Sequence, residues 1–178
     1  MPTYVGFLRA INLGARRKFP KDAIRASAEA AGFTDVETYI NTGNVRVATR
    51  MRSVAKVEQA LERAFAADRG FDVDTVVFAL PELTEEVEYA AQLADQSGPV
   101  ERHLVYLMRE PLGQGDRAKI EGRSTGEVSI VVRGRTVNLL WQHATPGDVD
   151  PLGAAGSAMG ISTSRNLRVL TEIVHRWA

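Results

Sequence analysis

The spacing of apolar positions changes several times along the chain, and each change marks an element. Tyr4 to Leu8 is a short apolar run followed by Arg9 and Asn12-Leu13-Gly14, which predicts a buried strand entering a loop. Pro20 suits the first turn of a helix. Ile24, Ser27, Ala28 and Ala31 then recur at helical spacing, Gly32 supplies the stop, and Phe33 is placed to fold back onto the helix. Val36, Thr38 and Ile40 alternate, Asn41-Thr42-Gly43-Asn44 turns the chain, and Val45 and Val47 alternate again, so a hairpin is expected. Ser53 reads as the N-cap of a helix with Val54, Val57, Leu61, Ala64 and Phe65 on one face and Gly70 at its end. Asp72 to Ala79, rich in Val and Phe, makes a fourth strand. This order is the split βαβ pattern of a ferredoxin-like half, in which two helices cover one face of an antiparallel sheet.

The second half repeats the pattern less completely. A helix after Pro81 runs to about Ala94 and offers Leu83, Val87, Ala90, Ala91 and Ala94 for burial, until Ser97-Gly98-Pro99 breaks it. His103 to Met108 reads as a strand and Asp116 to Gly122 as a short helix. Glu127 to Val132 pairs with Arg135 to Leu140 across Arg133-Gly134. Pro146 to Gly160 is loop-like. Ser162 or Thr163 is expected to cap a last helix with Leu167, Leu170, Ile173, Val174 and Trp177 on its apolar side. The pattern is βαββαβ for residues 1–80 and α-βαββ-α, without a closing strand, for residues 81–178. The expected architecture is α+β, two ferredoxin-like halves packed side by side as one compact unit, the second half permuted or incomplete. Only Leu80-Pro81 joins them, with no low-complexity linker.

Composition narrows the function classes. A chain of 178 residues with 44% hydrophobic and 25% charged residues can bury roughly 70% of its surface, so a packed core is expected rather than disorder. No apolar run approaches the ~20 residues that span a bilayer. The absence of Cys excludes disulfides, thiol nucleophiles, iron-sulfur ligation and Cys-type zinc sites. Met1-Pro2-Thr3-Tyr4 carries no basic segment ahead of an apolar one, so no signal peptide and a cytoplasmic location are expected. The balance of 22 basic and 22 acidic residues conceals an asymmetry. Residues 1–28 hold Arg9, Arg16, Arg17, Lys18, Lys21 and Arg25 against Asp22 alone, a net charge of +5. Residues 81–101 hold Glu82, Glu85, Glu86, Glu88, Asp95 and Glu101 with no basic residue, a net of −6. Local fields therefore matter although the total vanishes.

Most familiar signatures are missing. There is no Gly-x-x-x-x-Gly-Lys-Ser/Thr phosphate loop and no Gly-x-Ser-x-Gly elbow. Gly113-Gln114-Gly115-Asp116-Arg117-Ala118 fits Gly-x-Gly-x-x-Ala in form, but Glu110-Pro111 separates it from the strand and its helix is too short for a dinucleotide-binding crossover. His103, His143 and His175 lie far apart in sequence and outside any metal-ligand spacing. Asp148 with Asp150, and Asp72 with Asp74, suit turn caps better than a hard cation, so neither a metal nor another cofactor is expected. Tyr4 and Phe7 lie on the first strand, but Val45, Arg46 and Val47 offer no ring on its neighbour, which disfavours an RNA-stacking sheet.

What remains is a polar set at three chain breaks: Arg9 to Gly14, Tyr39 to Val45, and Ser162 to Asn166. In a split βαβ half, the end of the first strand and the tip between the second and third can approach a common edge. A helix start with unpaired N–H groups and an arginine suits phosphate or carboxylate. At these same residues the chain resembles the bacterial domain of unknown function 1697 family over essentially its whole length. Members show Arg-Gly-Ile-Asn-x-Gly, then Thr-Tyr-Ile-Gln-Ser-Gly-Asn-Val after a Leu-Gly-Phe helix end, then Thr-Thr-Arg-Asn-Trp. Here these stand as Arg9-Ala10-Ile11-Asn12-Leu13-Gly14, as Thr38-Tyr39-Ile40-Asn41-Thr42-Gly43-Asn44-Val45 after Ala31-Gly32-Phe33, and as Thr163-Ser164-Arg165-Asn166-Leu167. The departures are Ala10 for Gly, Asn41 for Gln, Thr42 for Ser and Leu167 for Trp. The resemblance implies two ferredoxin-like halves and no particular activity.

The leading expectation is binding of an anionic ligand between the halves: a nucleotide, a phosphorylated metabolite or a nucleic-acid backbone. Arg9 and Arg165 would pair with the anion, Asn12 and Asn44 would orient it, and Asn166 is a further candidate binding residue. Gly14 and Gly43 would let the backbone turn, and Arg16, Arg17 and Lys18 would form a mobile basic flap. One alternative is a hydrolase or transferase that adds a carboxylate to the arginine cluster. Another is a protein-protein interaction module using the acidic helix from Glu82 to Glu88. The sequence points to no membrane partner and leaves the oligomeric state open.

Overall fold

The computed structural model describes residues 1–143 and 150–178, which divide into two compact units: Met1–Leu83 with Trp177–Ala178, and Thr84–Arg176. The first unit contains β1 (Thr3–Leu8), α1 (Lys21–Ala30), β2 (Thr34–Tyr39), β3 (Asn44–Ala48), α2 (Val54–Arg69) and β4 (Thr75–Ala79). Its sheet is antiparallel in the order β2-β3-β1-β4, the ferredoxin-like arrangement.

Local chemistry sets the ends of these elements. Pro20 stands at the N-cap of α1. At the other end, Gly32 adopts φ +88°, its N–H donates to Glu29 O and the Phe33 N–H donates to Ala28 O. That is a Schellman stop, and it delivers Phe33 into the core. Ser53 Oγ caps α2 by accepting from Lys56 N–H at 3.4 Å, and Gly70 at φ +72° ends the helix. Tyr4, Leu8, Val45, Val47 and Val77 line the sheet face against Ile24, Ala28, Leu61 and Phe65, with Phe19 edge-on to Phe65 at 5.2 Å. Val5, Phe7, Val76 and Phe78 on the opposite face are also fully buried, and Phe7 meets Phe78 edge-on at 6.4 Å. The C-terminal residue pair belongs to this unit, and Trp177 Nε1 donates to Glu37 Oε2 at 3.2 Å.

The chain passes into the second unit within the first turn of α3 (Leu80–Gln96). There follow β5 (Arg102–Met108), α4 (Gln114–Glu121), β6 (Val128–Arg133), β7 (Thr136–Trp141), a 3-10 stretch at Gly153–Met159, β8 (Ser162–Asn166) and α5 (Leu167–Trp177). The sheet order β6-β7-β5-β8 repeats that of the first unit. Sequence patterning leaves this half open and predicts Ser162 or Thr163 as a helix cap. Instead Ser162–Asn166 is the closing strand, paired antiparallel to β5 from Leu104↔Asn166 to Met108↔Ser162. A Ser-Thr-Ser-Arg-Asn strand shows no hydrophobic alternation, and hydroxyl residues ahead of an apolar helix imitate a cap. The cap is Asn166, whose Oδ1 accepts from Arg168 N–H at 2.9 Å.

One face of the second sheet packs Met108, Val128, Ile130, Val137 and Leu139 against Ile120, Leu152 and Met159. The other carries buried polar side chains, His103, Thr136, Asn138 and Arg165. Helix α3 serves this face: Thr136 Oγ1 donates to Glu86 Oε2 at 3.0 Å, and the Arg133 guanidinium lies 4.4 Å from the Tyr89 ring centre. No described helix is long and apolar enough to cross a membrane.

Candidate functional site

In the first unit the loop after β1, residues 9–20, packs against the hairpin tip, residues 40–43. Asn12 joins them. Its Oδ1 accepts from Phe19 N–H at 2.8 Å, while its Nδ2 donates to Phe19 O at 3.1 Å and to Asn41 O at 2.8 Å. Ala10 and Asn12 both hold left-handed backbone, φ +52° and +56°. Asn44 is fully buried and its Nδ2 braces the hairpin through Tyr39 O and Thr42 Oγ1, each at 3.0 Å. Gly43 sits at φ +78°, and a Cβ there would stand 2.8 Å from both Leu8 Cβ and Ile11 Cδ1. Its carbonyl accepts from Leu8 N–H at 2.8 Å. Gly14, at φ +69°, faces open space. Asn12, Asn44 and Gly43 thus form a framework of two interlocked loops.

The cations divide by role. Arg17 Nε donates to Ala10 O and its Nη2 to Asp72 O, both at 2.7 Å, with the guanidinium 4.8 Å from the Phe71 ring centre. Arg17 therefore anchors the loop rather than belonging to a loose flap. Arg9 pairs with Asp74 at 3.4 Å, with both side chains nearly half exposed. Arg16, Lys18 and Lys21 are exposed and make no ion pair among the described residues. Two apolar side chains accompany them in solvent. Leu13 is 69% exposed, and Ile40 is 39% exposed at φ +50°, a conformation unfavourable for a β-branched residue.

Arg165 and Asn166 belong to the second unit. Arg165 projects from β8, only 8% exposed, and its Nη1 donates to Thr163 Oγ1 at 2.9 Å and to Ser164 O at 2.8 Å. Burial pulls its pKa down to about 10, which leaves it a cation at neutral pH. Asn166 lines an open groove of about 730 Å³ together with Glu101, His103, Arg168 and Glu172. Two carboxylates against one guanidinium make this groove a poorer host for an anion than the first unit's loops.

Two features escaped the sequence. Glu58 and Glu62 of α2 accept backbone N–H groups of β4, each at 3.0 Å, and their helical spacing gave no sign of it. His103 Nε2 lies 2.9 Å from Asn138 Oδ1 in the interior, where burial pushes the imidazole pKa below its usual value. The alternation His103, Val105, Leu107 could have placed that imidazole inside. Asp150 Oδ1 accepts from Leu152 N–H at 3.0 Å, a turn cap, whereas Asp148 lies outside the described residues. Among the described residues no group of three or more His, Asp or Glu is arranged to hold a metal.

A search of the curated proteins gives no match. The solved structure of a conserved bacterial protein from Streptococcus pneumoniae superposes with a TM-score of 0.77 over 98% of this chain and 97% of that one, at 20% identity. That likeness is one of fold. Residues 1–137 match the model of a family described as a protein of unknown function, DUF1697. The match covers well over half of the sequence and includes both interlocked loops, so the chain belongs to the DUF1697 family.

Proposed function

We propose that the chain binds an anionic ligand, a nucleotide, a phosphorylated metabolite or a nucleic-acid backbone, on the interlocked loops of the first unit. Arg16 and Lys18, with Lys21 beside them and Arg9 shared with Asp74, supply the charge. One observation carries this reading. These cations stand exposed on a backbone already pinned by Asn12, Arg17 and Asn44, so a ligand would meet them with little of the loop left to order. The reading retains Arg9, Asn12, Gly14, Gly43 and Asn44, with the asparagines and glycines as framework. It draws nothing from Arg165 or Asn166. A cytoplasmic setting, where such ligands are held, belongs to the same proposal.

A thermal-shift panel of nucleotides, phosphosugars and short oligonucleotides at low salt tests it. A ligand at 100 times its Kd adds about 2.7 kcal/mol. Binding of oligonucleotides should weaken by about 0.9 log units per log of salt for each phosphate neutralised. Joint replacement Arg16→Ala and Lys18→Ala should abolish the shift without lowering the unliganded Tm. No shift with any anion class, or a shift that survives this double variant, rejects the proposal.

A further inference from the structure

Four strands stand at sheet edges: β2, β4, β6 and β8. An edge leaves alternate N–H and C=O groups unpaired, and such a row invites a further strand unless it is blocked. Three of the four are blocked. In β2 the register shifts between Thr34 and Glu37, with Asp35 at φ +48°, which breaks the row. In β4 the bond from Arg9 N–H to Asp74 O and the register with β1 turn the Thr75 and Val77 N–H groups outward. These donate to Glu62 and Glu58. In β6 the outward N–H groups of Val128, Ile130 and Val132 donate to Thr125 Oγ1 at 3.3 Å, Ser124 Oγ at 3.0 Å and Glu121 Oε1 at 3.0 Å.

Among the described residues the outward N–H groups of β8 carry no such cover, while the outward Ser164 carbonyl accepts from Arg165 Nη1 at 2.8 Å and keeps its second lone pair. The bond from Arg109 N–H to Ile161 O, continued through the register, commits Thr163 and Arg165 to β5 and turns the N–H groups of Ser162, Ser164 and Asn166 outward. None of these three N–H groups has a partner among the described residues. The crossovers explain the difference. In the first unit the chain reaches β4 through the 16-residue α2, whose Glu58 and Glu62 seal the edge. In the second, among the described residues of the crossover, the 3-10 stretch Gly153–Met159 contains no carboxylate and the Asp150 carboxylate accepts from Leu152 N–H.

We propose that β8 is the pairing edge for a second copy of this chain, the two strands running antiparallel about a two-fold axis at Ser164. In that register Ser164 faces Ser164, Ser162 faces Asn166 and Thr163 faces Arg165, so all three outward residues of each strand meet outward residues of the other. Arg165 lies opposite a neutral hydroxyl. A register centred on Arg165 would instead set guanidinium against guanidinium. The strand offers no proline, bulge or lysine against such pairing, and its outward residues are small and polar. An edge of five residues is short, so the association is weak and concentration-dependent.

Sedimentation velocity of the full chain from micromolar to millimolar concentration tests the proposal. The expected result is a reversible dimer. Ser164→Pro removes an outward donor without touching the bonds to β5, so it should give a monomer with an unchanged circular dichroism spectrum. Ser164→Lys and Ser164→Glu should each be monomeric alone and form a heterodimer when mixed, because residue 164 faces its own counterpart. This pair carries the test even where proline loosens the strand. A wild-type monomer at all concentrations overturns the proposal, as does a dimer unaffected by a folded Ser164→Pro variant or a charge pair that fails to associate. A monomer that takes up an extended peptide at β8 overturns the second copy as occupant.

Discussion

Gly43 offers the sharpest test of the interlocked loops. Replacement by alanine imposes two separable costs. The first is conformational, since φ +78° disfavours any residue with a Cβ by about 1–2 kcal/mol. The second is steric. The new methyl would stand 2.8 Å from Leu8 Cβ and 2.8 Å from Ile11 Cδ1. The isoleucine terminus can rotate away, but Leu8 Cβ is fixed by the β1 backbone, whose N–H bonds Gly43 O. Relief therefore requires the hairpin tip to move, at about 1–3 kcal/mol. A total near 3 kcal/mol corresponds to a Tm lowered by about 6–12 °C in a chain of this size. Gly14→Ala is the internal control. Its φ is +69° but nothing lies within 4 Å of the new methyl, so only the conformational cost of about 1–2 kcal/mol applies, about 2–8 °C. Thermal unfolding of both variants by circular dichroism decides the matter. Equal shifts would show that the close approach of Gly43 to Leu8 contributes nothing, and the account of the two loops as one packed framework would fall.

Three further outcomes follow from single contacts. Glu58→Ala leaves the outward Val77 N–H without its acceptor and should cost about 1–3 kcal/mol in urea unfolding, whereas Glu58→Gln keeps an acceptor and should cost clearly less; equal losses would refute the capping role. Ser53→Ala should cost about 1 kcal/mol, and no change in Tm would mean that the 3.4 Å cap bond is idle. Burial holds the folded-state pKa of His103 below the usual 6.5, so the unfolded chain protonates first as pH falls. Its contribution to stability is therefore complete above pH 6.5 and declines below it until the folded value is passed. His103→Gln should flatten this part of the stability profile, and identical slopes in variant and wild type would refute the assignment.

The first unit was legible because its signals agree. Gly32, Gly70, Ser53 and the alternation around Val45 each mark a boundary that local chemistry enforces in the folded chain. The second unit hid its closing strand because β8 draws its order from β5 rather than from its own side chains, and pairing across more than fifty residues leaves no local trace. The candidate site was legible as a set of loops but not as roles. Arg17 reads like its neighbours Arg16 and Lys18, and only the positions of Ala10 O, Asp72 O and the Phe71 ring separate an anchor from a free cation.

That separation bears on what the family resemblance means. The motif positions are not equivalent in chemistry. Asn12, Asn44 and Gly43 spend their polar atoms and their missing Cβ on holding the two loops together. Their recurrence in a family pattern would follow from folding alone, with no ligand involved. The groups with unspent chemistry, Arg16, Lys18 and Lys21, lie outside the Arg-x-Ile-Asn-x-Gly and Gly-Asn-Val segments, although the same framework presents them. Likeness at the motif therefore argues for a shared scaffold. A shared ligand has to be argued from the residues between and beside the motif positions, where members of one family are free to differ.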